Sequence, residues 1–311
     1  LKSKHKKSKS VVKTVLFLLG GLTALGLTIA VLLRGKNVAV FNSKGFVATQ
    51  QRDLMIFAAV VVLAIAVPTV LLLYFMAWRY RETNDKVTHP SESHSEASRG
   101  KLFNVFIWAL PTVFMIVLAI VLVPVTHDLQ PNKAVATGTK PITIQVMAMR
   151  WKWLFIYPDQ QIATVNYVRI PKNVPVVFDL TADDAPMSSF WIPNLGGQLY
   201  AMTGHINRLN LIANQEGNYP GRSAEINGAG FEGMKFTTQV TNKEDFASWA
   251  EGIRSSSASL DTVAYDGLLN PTKNNKIDSF AAYDNSLYGR AVMKYIGDHN
   301  HAMMMHHEGS Q

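Results

Sequence analysis

Three long runs without a charged side chain constrain this chain more than any other feature. They cover residues 14–33, 54–78 and 102–125. A helix rises ~1.5 Å per residue, so even the shortest run reaches ~30 Å, the hydrocarbon thickness of a bilayer. The pattern predicts three transmembrane helices. Pro68, Pro111 and Pro124 fall within or at the ends of the second and third runs, where neighbouring helices tolerate a kink.

Charge placement orients these helices. The formal net charge is +8, and Lys2, Lys4, Lys6, Lys7, Lys9 and Lys13 lie in an arm, residues 1–13, in front of the first run. A basic arm joined directly to an apolar helix reads as a cytoplasmic flank. Nucleic acid is not implied, because no base-reading fold follows the arm. The second run ends in WRYR, and the polar loop at 82–98 is flanked by Arg79, Arg81, Arg99 and Lys101, which also assigns that loop to the cytoplasm. Everything after Val125 then lies on the opposite face. A basic start followed by an apolar run is also signal-like. The twenty uncharged residues and the lack of a small-x-small pattern in LLRGK favour an uncleaved anchor. The chain has no cysteine, which excludes disulfides, thiolate metal sites and a cysteine nucleophile.

From about residue 140 the pattern changes. KPITIQVMAMRWKWLFIYPDQ, TVNYVRIPKNVPVVFDLTA, INRLNLIAN and MKFTTQVT alternate apolar and polar residues between Gly, Asn and Pro punctuation. Many short strands at this spacing indicate an antiparallel sandwich or barrel over 140–241. EDFASWAEGIRSS and SLYGRAVMKYIG show helical spacing, predicting a helical extension over 242–298. Within SAEINGAGFEGMKF, Ser223, Asn227, Phe231 and Met234 are spaced by four, four and three residues. That is the spacing of a compact copper-binding loop, yet of its soft ligands only the thioether is present.

The order of a transmembrane hairpin, a WKW-containing strand, SSFWIP, LGGQLYAM and a glycine-rich loop ending in GMKF resembles subunit II of the haem–copper terminal oxidases. QQRDLMIF, FMAWRY, PITIQV, FIYPDQQIATVN and RLNLIAN extend the resemblance over nearly the whole chain, most closely to the bo-type ubiquinol oxidases. It implies a cupredoxin-like β-domain behind the membrane helices. Copper-bearing relatives carry Cys, Glu, Cys, His and Met in the loop and a second His upstream. Carried onto this chain, those positions are Ser223, Glu225, Asn227, Phe231, Met234 and Ser188. No thiolate or imidazole remains, so the resemblance implies a subunit without copper, cofactor or catalytic residues of its own. Haem and copper would reside in subunit I, with subunits III and IV, membrane lipid and ubiquinol as partners, in a bacterial inner membrane with the β-domain in the periplasm. Two alternatives from other classes stay open: a cytochrome c oxidase subunit II-like protein, and a membrane-anchored metal-chaperone or binding module.

Two departures from the family stand out. Relatives carry a lipidated Cys where LLRGK has Lys36, and many carry a Glu, proposed as a proton entry, where Asn104 stands. An amide cannot carry a proton by ionising. Trp151 and Trp153 read as packing residues, Glu225 as a loop acceptor and Met234 as core. His127 suits the headgroup level and His205 a structural position. The tail at 299–311 holds His299, His301, His306 and His307 among methionines; it reads as a mobile terminus, with soft-metal binding as the sharper alternative. Basic and acidic side chains nearly balance over 140–240, so no acidic docking face is evident.

Overall fold

The computed structural model describes residues 38–80, 97–135, 138–256 and 258–296, with scattered positions from 20 to 34. The basic arm, most of the 82–98 loop, the His/Met tail and much of the first apolar run lie outside the described residues; those described between Gly20 and Val31 are helical. The chain forms two compact units, Leu1–Asn42 and Ser43–Gln311. The second carries the two long helices and the β-domain.

Its two long helices are Phe46–Arg79 and Ala97–Asp128. The runs at 54–78 and 102–125 lie inside them, and Phe46–Arg79 and Asn104–Asp128 are long and apolar enough to cross a membrane. Thr69 Oγ1 donates to Ile65 O at 2.7 Å and Thr112 Oγ1 to Trp108 O at 2.7 Å. Each threonine directly follows a proline, so the hydroxyl adds a local hydrogen bond where proline has removed a backbone donor.

The first long helix begins eight residues before its charge-free run, and the β-domain holds that start. No side chain caps Gly45. Instead Lys44 N and Gly45 N donate to Asn194 O at 2.8 and 3.1 Å, and Ala48 N donates to Leu195 O at 3.1 Å. Carbonyls of the domain thus satisfy donors around the helix entry that would otherwise need a cap. A Cβ on Gly45 would sit 2.6 Å from Leu195 O, so only glycine permits this approach.

The β-domain is a two-sheet sandwich. One sheet has the order β12-β3-β2-β1-β5-β8 and the other β4-β10-β9-β6-β7. The strands are β1 Ile142–Met149, β2 Lys152–Tyr157, β3 Ile162–Val165, β4 Tyr167–Pro171, β5 Pro175–Ala182 and β6 Ser188–Trp191. They continue with β7 Leu199–Ala201, β8 Asn207–Ile212, β9 Gly217–Ser223, β10 Lys235–Thr241, β11 Ser259–Leu260, β12 Asp278–Phe280 and β13 Ala282–Tyr283. The purely antiparallel expectation is corrected: β1 pairs with β5 and β4 with β10 in parallel. Alternation dictates which face of a strand is buried, but it carries no information on a neighbour's direction. Between the sheets lies an aromatic core in which Phe190 stacks on Phe236 at 5.0 Å and Trp153 meets Phe190 edge-on at 5.3 Å.

The expected helical extension needs a second correction. Its helices are Lys243–Ser256, Thr262–Leu269 and residues 287–296, but three short strands interrupt them, and β12 pairs with β3 at the edge of the six-stranded sheet. Tyr265, Phe280, Leu287, Tyr288 and Val292 form a second core with Met147, Met149, Leu154 and Ile156. Every residue of β2 is therefore buried: Trp153, Phe155 and Tyr157 enter the sandwich core while Leu154 and Ile156 meet the extension. Burying a large apolar side chain is worth about 1.5–3 kcal/mol, so uncovering those four β1 and β2 residues would cost roughly 6–12 kcal/mol as an upper bound. A domain is stable by only about 5–15 kcal/mol, so the extension is part of the fold. Ile156→Ala should lower unfolding stability by about 2–5 kcal/mol, whereas Ile226→Ala, at a side chain 79% exposed, should change it by less than about 0.5 kcal/mol. Denaturant unfolding of the purified chain in detergent measures both; equal effects would contradict the two-core description.

Candidate functional site

The loop singled out by its spacing joins β9 to β10. Ser223 ends β9, its backbone N–H donates to Met234 O at 3.1 Å, and its hydroxyl donates to Glu225 O at 3.1 Å. A short 3-10 turn, Phe231–Gly233, follows, closed by Met234 N donating to Phe231 O at 3.1 Å. Trp151 covers the loop from outside. It sits in the tight β1–β2 turn at φ 65°, a left-handed conformation that costs an L-residue about 1–2 kcal/mol. Its indole lies where a Cβ on Gly230 would come within 2.2 Å, and its Nε1 donates to Asn227 O at 3.4 Å. Bare glycine under a strained tryptophan gives the loop its shape.

At the centre is the buried side chain of Asn227. Its Nδ2 donates to Ser188 Oγ at 2.7 Å, across from β6, and to Met234 Sδ at 3.0 Å. Ser188 Oγ in turn donates to Pro186 O at 3.0 Å. Three of the six positions carried over from copper-bearing relatives therefore meet through one amide. Ser223 joins them through its backbone and Glu225 through its carbonyl on Ser223. Phe231 is only half-buried and contributes its carbonyl to the turn. Copper in electron-transfer sites is held by thiolate, imidazole and thioether. Hydroxyls, an amide directing its N–H at the sulfur and a phenyl ring do not fit that requirement. Among the described residues no three of His, Cys, Asp or Glu form a metal-holding group.

The remaining singled-out residues lie apart from this centre. Asn104 is exposed on the second long helix, beside Trp108 and Thr112. His127, in the last turn of that helix, has Nδ1 3.4 Å from Gln130 Nε2, and exposed His205 has Nδ1 3.1 Å from Thr203 O. Trp153 is fully buried in the core.

Two polar centres escaped sequence reasoning. Lys152, in the middle of WKW, is buried, and its Nζ donates to Leu268 O at 2.7 Å and Asn270 O at 2.9 Å. It closes the C-terminal end of the helix Thr262–Leu269, where a cation suits the helix dipole, and burial pushes its ammonium below the usual lysine range. Asp183 is buried and accepts from Tyr265 Oη at 2.5 Å, Tyr295 Oη at 2.8 Å and Lys294 Nζ at 3.0 Å. These contacts bind the extension to the sandwich. The aspartate pair in TADDAP carries no sign of partners so distant in sequence.

Residues 159–241 match the family described as cytochrome C oxidase subunit II, periplasmic domain, and residues 254–299 match the COX aromatic rich motif. Cytochrome bo(3) ubiquinol oxidase subunit 2 of Pseudomonas putida is 39% identical over 281 residues, 90% of this chain and 87% of that protein. The same subunit of Pseudomonas aeruginosa is 36% identical over 92% of this chain and 86% of its own length. Ubiquinol oxidase subunit 2 of Acetobacter aceti is 38% identical over 90% and 89%.

The Asp183 centre generates a pH prediction. Burial first, and the hydrogen bond to Asp183 second, push the Tyr265 hydroxyl well above its ordinary value of 10.0. The folded chain therefore keeps a proton that the unfolded chain loses above pH 10, so stability falls as pH rises past that point. The contribution is fully present below pH 10 and disappears as the pH climbs toward the raised folded value. Lys294, raised from 10.5 chiefly by its hydrogen bond to Asp183, acts in the same direction at higher pH. Unfolding midpoints should fall above pH 10, with a shallower fall in Tyr265→Phe. An unchanged alkaline slope in that variant would contradict the assignment.

Proposed function

This chain belongs to the cytochrome bo(3) ubiquinol oxidase subunit 2 family, and we propose that it serves there as a membrane-anchored, non-catalytic subunit with no copper centre of its own. The complex oxidises ubiquinol, reduces oxygen to water and pumps protons. Haem and copper reside in subunit I, and subunits III and IV complete the assembly. The chain crosses the bacterial inner membrane three times, at 14–33, 54–78 and 102–125, and presents the cupredoxin-like domain at 140–241 and the extension at 242–298 to the periplasm.

The Asn227 amide carries this reading. An electron relay needs a group that can change oxidation state at low cost. The hydrogen-bonded set Ser188, Asn227 and Met234 offers none, and its Nδ2–H groups are directed to the oxygen and sulfur that would otherwise face a metal. A quinol arrives within the bilayer and passes its electrons to haem in the partner without entering the periplasmic domain. The β-domain is left to shape and stabilise the periplasmic face. Asn104 cannot ionise, so protons for oxygen reduction enter by another acid or a water path.

Affinity purification through this chain tests the proposal. A haem-containing polytopic partner should co-purify, with oxygen uptake driven by ubiquinol and none driven by reduced cytochrome c. The reverse substrate preference would make the chain a cytochrome c oxidase subunit. A stable, haem-free monomer would support a free binding module instead.

A further inference from the structure

A cavity of about 340 Å³ lies where both long helices meet the β-domain, within the size range of ligand pockets. Its walls include Phe46, Gln50 and Gln51 from the first helix and Asp128, Lys133 and Val135 from the end of the second helix and the segment after it. Gln50 and Gln51 are half-buried, and their side chains make no hydrogen bond among the described residues. At the rim, Lys133 Nζ and Asp128 Oδ1 are 2.5 Å apart, with side chains 44% and 66% exposed. Such an exposed pair is solvent-screened and opens easily.

Depth decides what the cavity can hold. Gln50 and Gln51 lie three to four residues before Leu54, where the charge-free run starts, hence about 5–6 Å beyond the hydrocarbon edge at ~1.5 Å per residue. Asp128 lies three residues beyond Val125, at the same level. A headgroup layer extends about 5–8 Å past the hydrocarbon on each side, so the cavity opens into headgroups. The positive end of the first long helix lies at its wall and adds a positive field, with Ala48 N–H itself already held by Leu195 O. The amides of Gln50 and Gln51 and the ammonium of Lys133 are further donors, and Asp128 accepts only from a cation or a donor.

We propose that this cavity binds the headgroup of a phospholipid with a primary ammonium, such as phosphatidylethanolamine. The phosphate accepts from Lys133 and the Gln50 and Gln51 amides, and the lipid ammonium replaces Lys133 as the partner of Asp128. The opened ion pair is matched group for group by the zwitterion. Phosphatidylglycerol has no ammonium for Asp128, and the quaternary ammonium of phosphatidylcholine has no N–H to donate.

The test uses the purified oxidase complex, delipidated in detergent, titrated separately with the three phospholipids and analysed by native mass spectrometry. The wild-type complex should retain one phosphatidylethanolamine with an affinity about tenfold above that for either other lipid, the scale of one charge-assisted hydrogen bond. Asp128→Asn with Lys133→Gln should abolish that preference, and Gln50→Leu with Gln51→Leu should weaken retention, while haem content and ubiquinol-driven oxygen uptake stay unchanged. Equal retention of the three lipids by the wild-type complex overturns the proposal, as does undiminished preference in the charge variant. Neither result touches the subunit assignment, which rests on the haem partner and the substrate.

Discussion

Strand β2 has no exposed residue, and burial of both faces of the sheet at β1, β2 and β3 is the constraint on which the rest of the second unit depends. One face closes over the aromatic core around Phe190 and Phe236. The other is closed by the C-terminal extension, through Tyr265, Leu287 and Val292. Because the two cores share β1, β2 and β3, a change on one side is felt on the other: Trp153 cannot shift in the sandwich without moving Lys152 and Leu154 against the extension. The polar contacts of Lys152 and Asp183 add direction to a seam whose stabilisation is apolar. Left unpaired, either charge would cost more than its hydrogen bonds contribute.

That rigidity holds the loop between β9 and β10. The β1–β2 turn places Trp151 over Gly228 and Gly230, and the ends of β6 and β9 bring Ser188 and Ser223 to the loop. What a metal would do for such a loop by coordination, Asn227 does by donating to Ser188 and Met234. A hydrogen-bonded amide bridges two elements but transfers no electron. Under the proposed function the fold is kept without a relay. At the other end of the domain, Gly45 brings the helix Phe46–Arg79 to the carbonyls of Asn194 and Leu195, so the β-domain is joined to that helix by backbone hydrogen bonds as well as by covalent continuity.

Much of this was legible in the sequence, for reasons that differ by element. The second and third apolar runs were readable because length without charge is a local property. Strand β10, with its alternating burial, was readable for the same reason. The parallel pairing of β1 with β5 was not, since alternation is blind to direction. KWLFIY hid its two-sided burial because the covering layer arrives more than a hundred residues later. Loop spacing located Asn227, but its contact with Ser188 spans 39 residues. Asp183 reaches Tyr265 across 82 residues and Lys152 reaches Leu268 across 116. Pairings of that range leave no trace in a single sequence.

Under the proposed function, hydrogen bonds from Asn227 stand in place of metal coordination in the loop between β9 and β10. Copper quantification and electron paramagnetic resonance on the intact purified complex, after incubation with copper salt and removal of the excess, test it most directly. The account predicts no copper bound to the β-domain and no mixed-valence copper signal. Two copper ions per β-domain with a mixed-valence signal would contradict it.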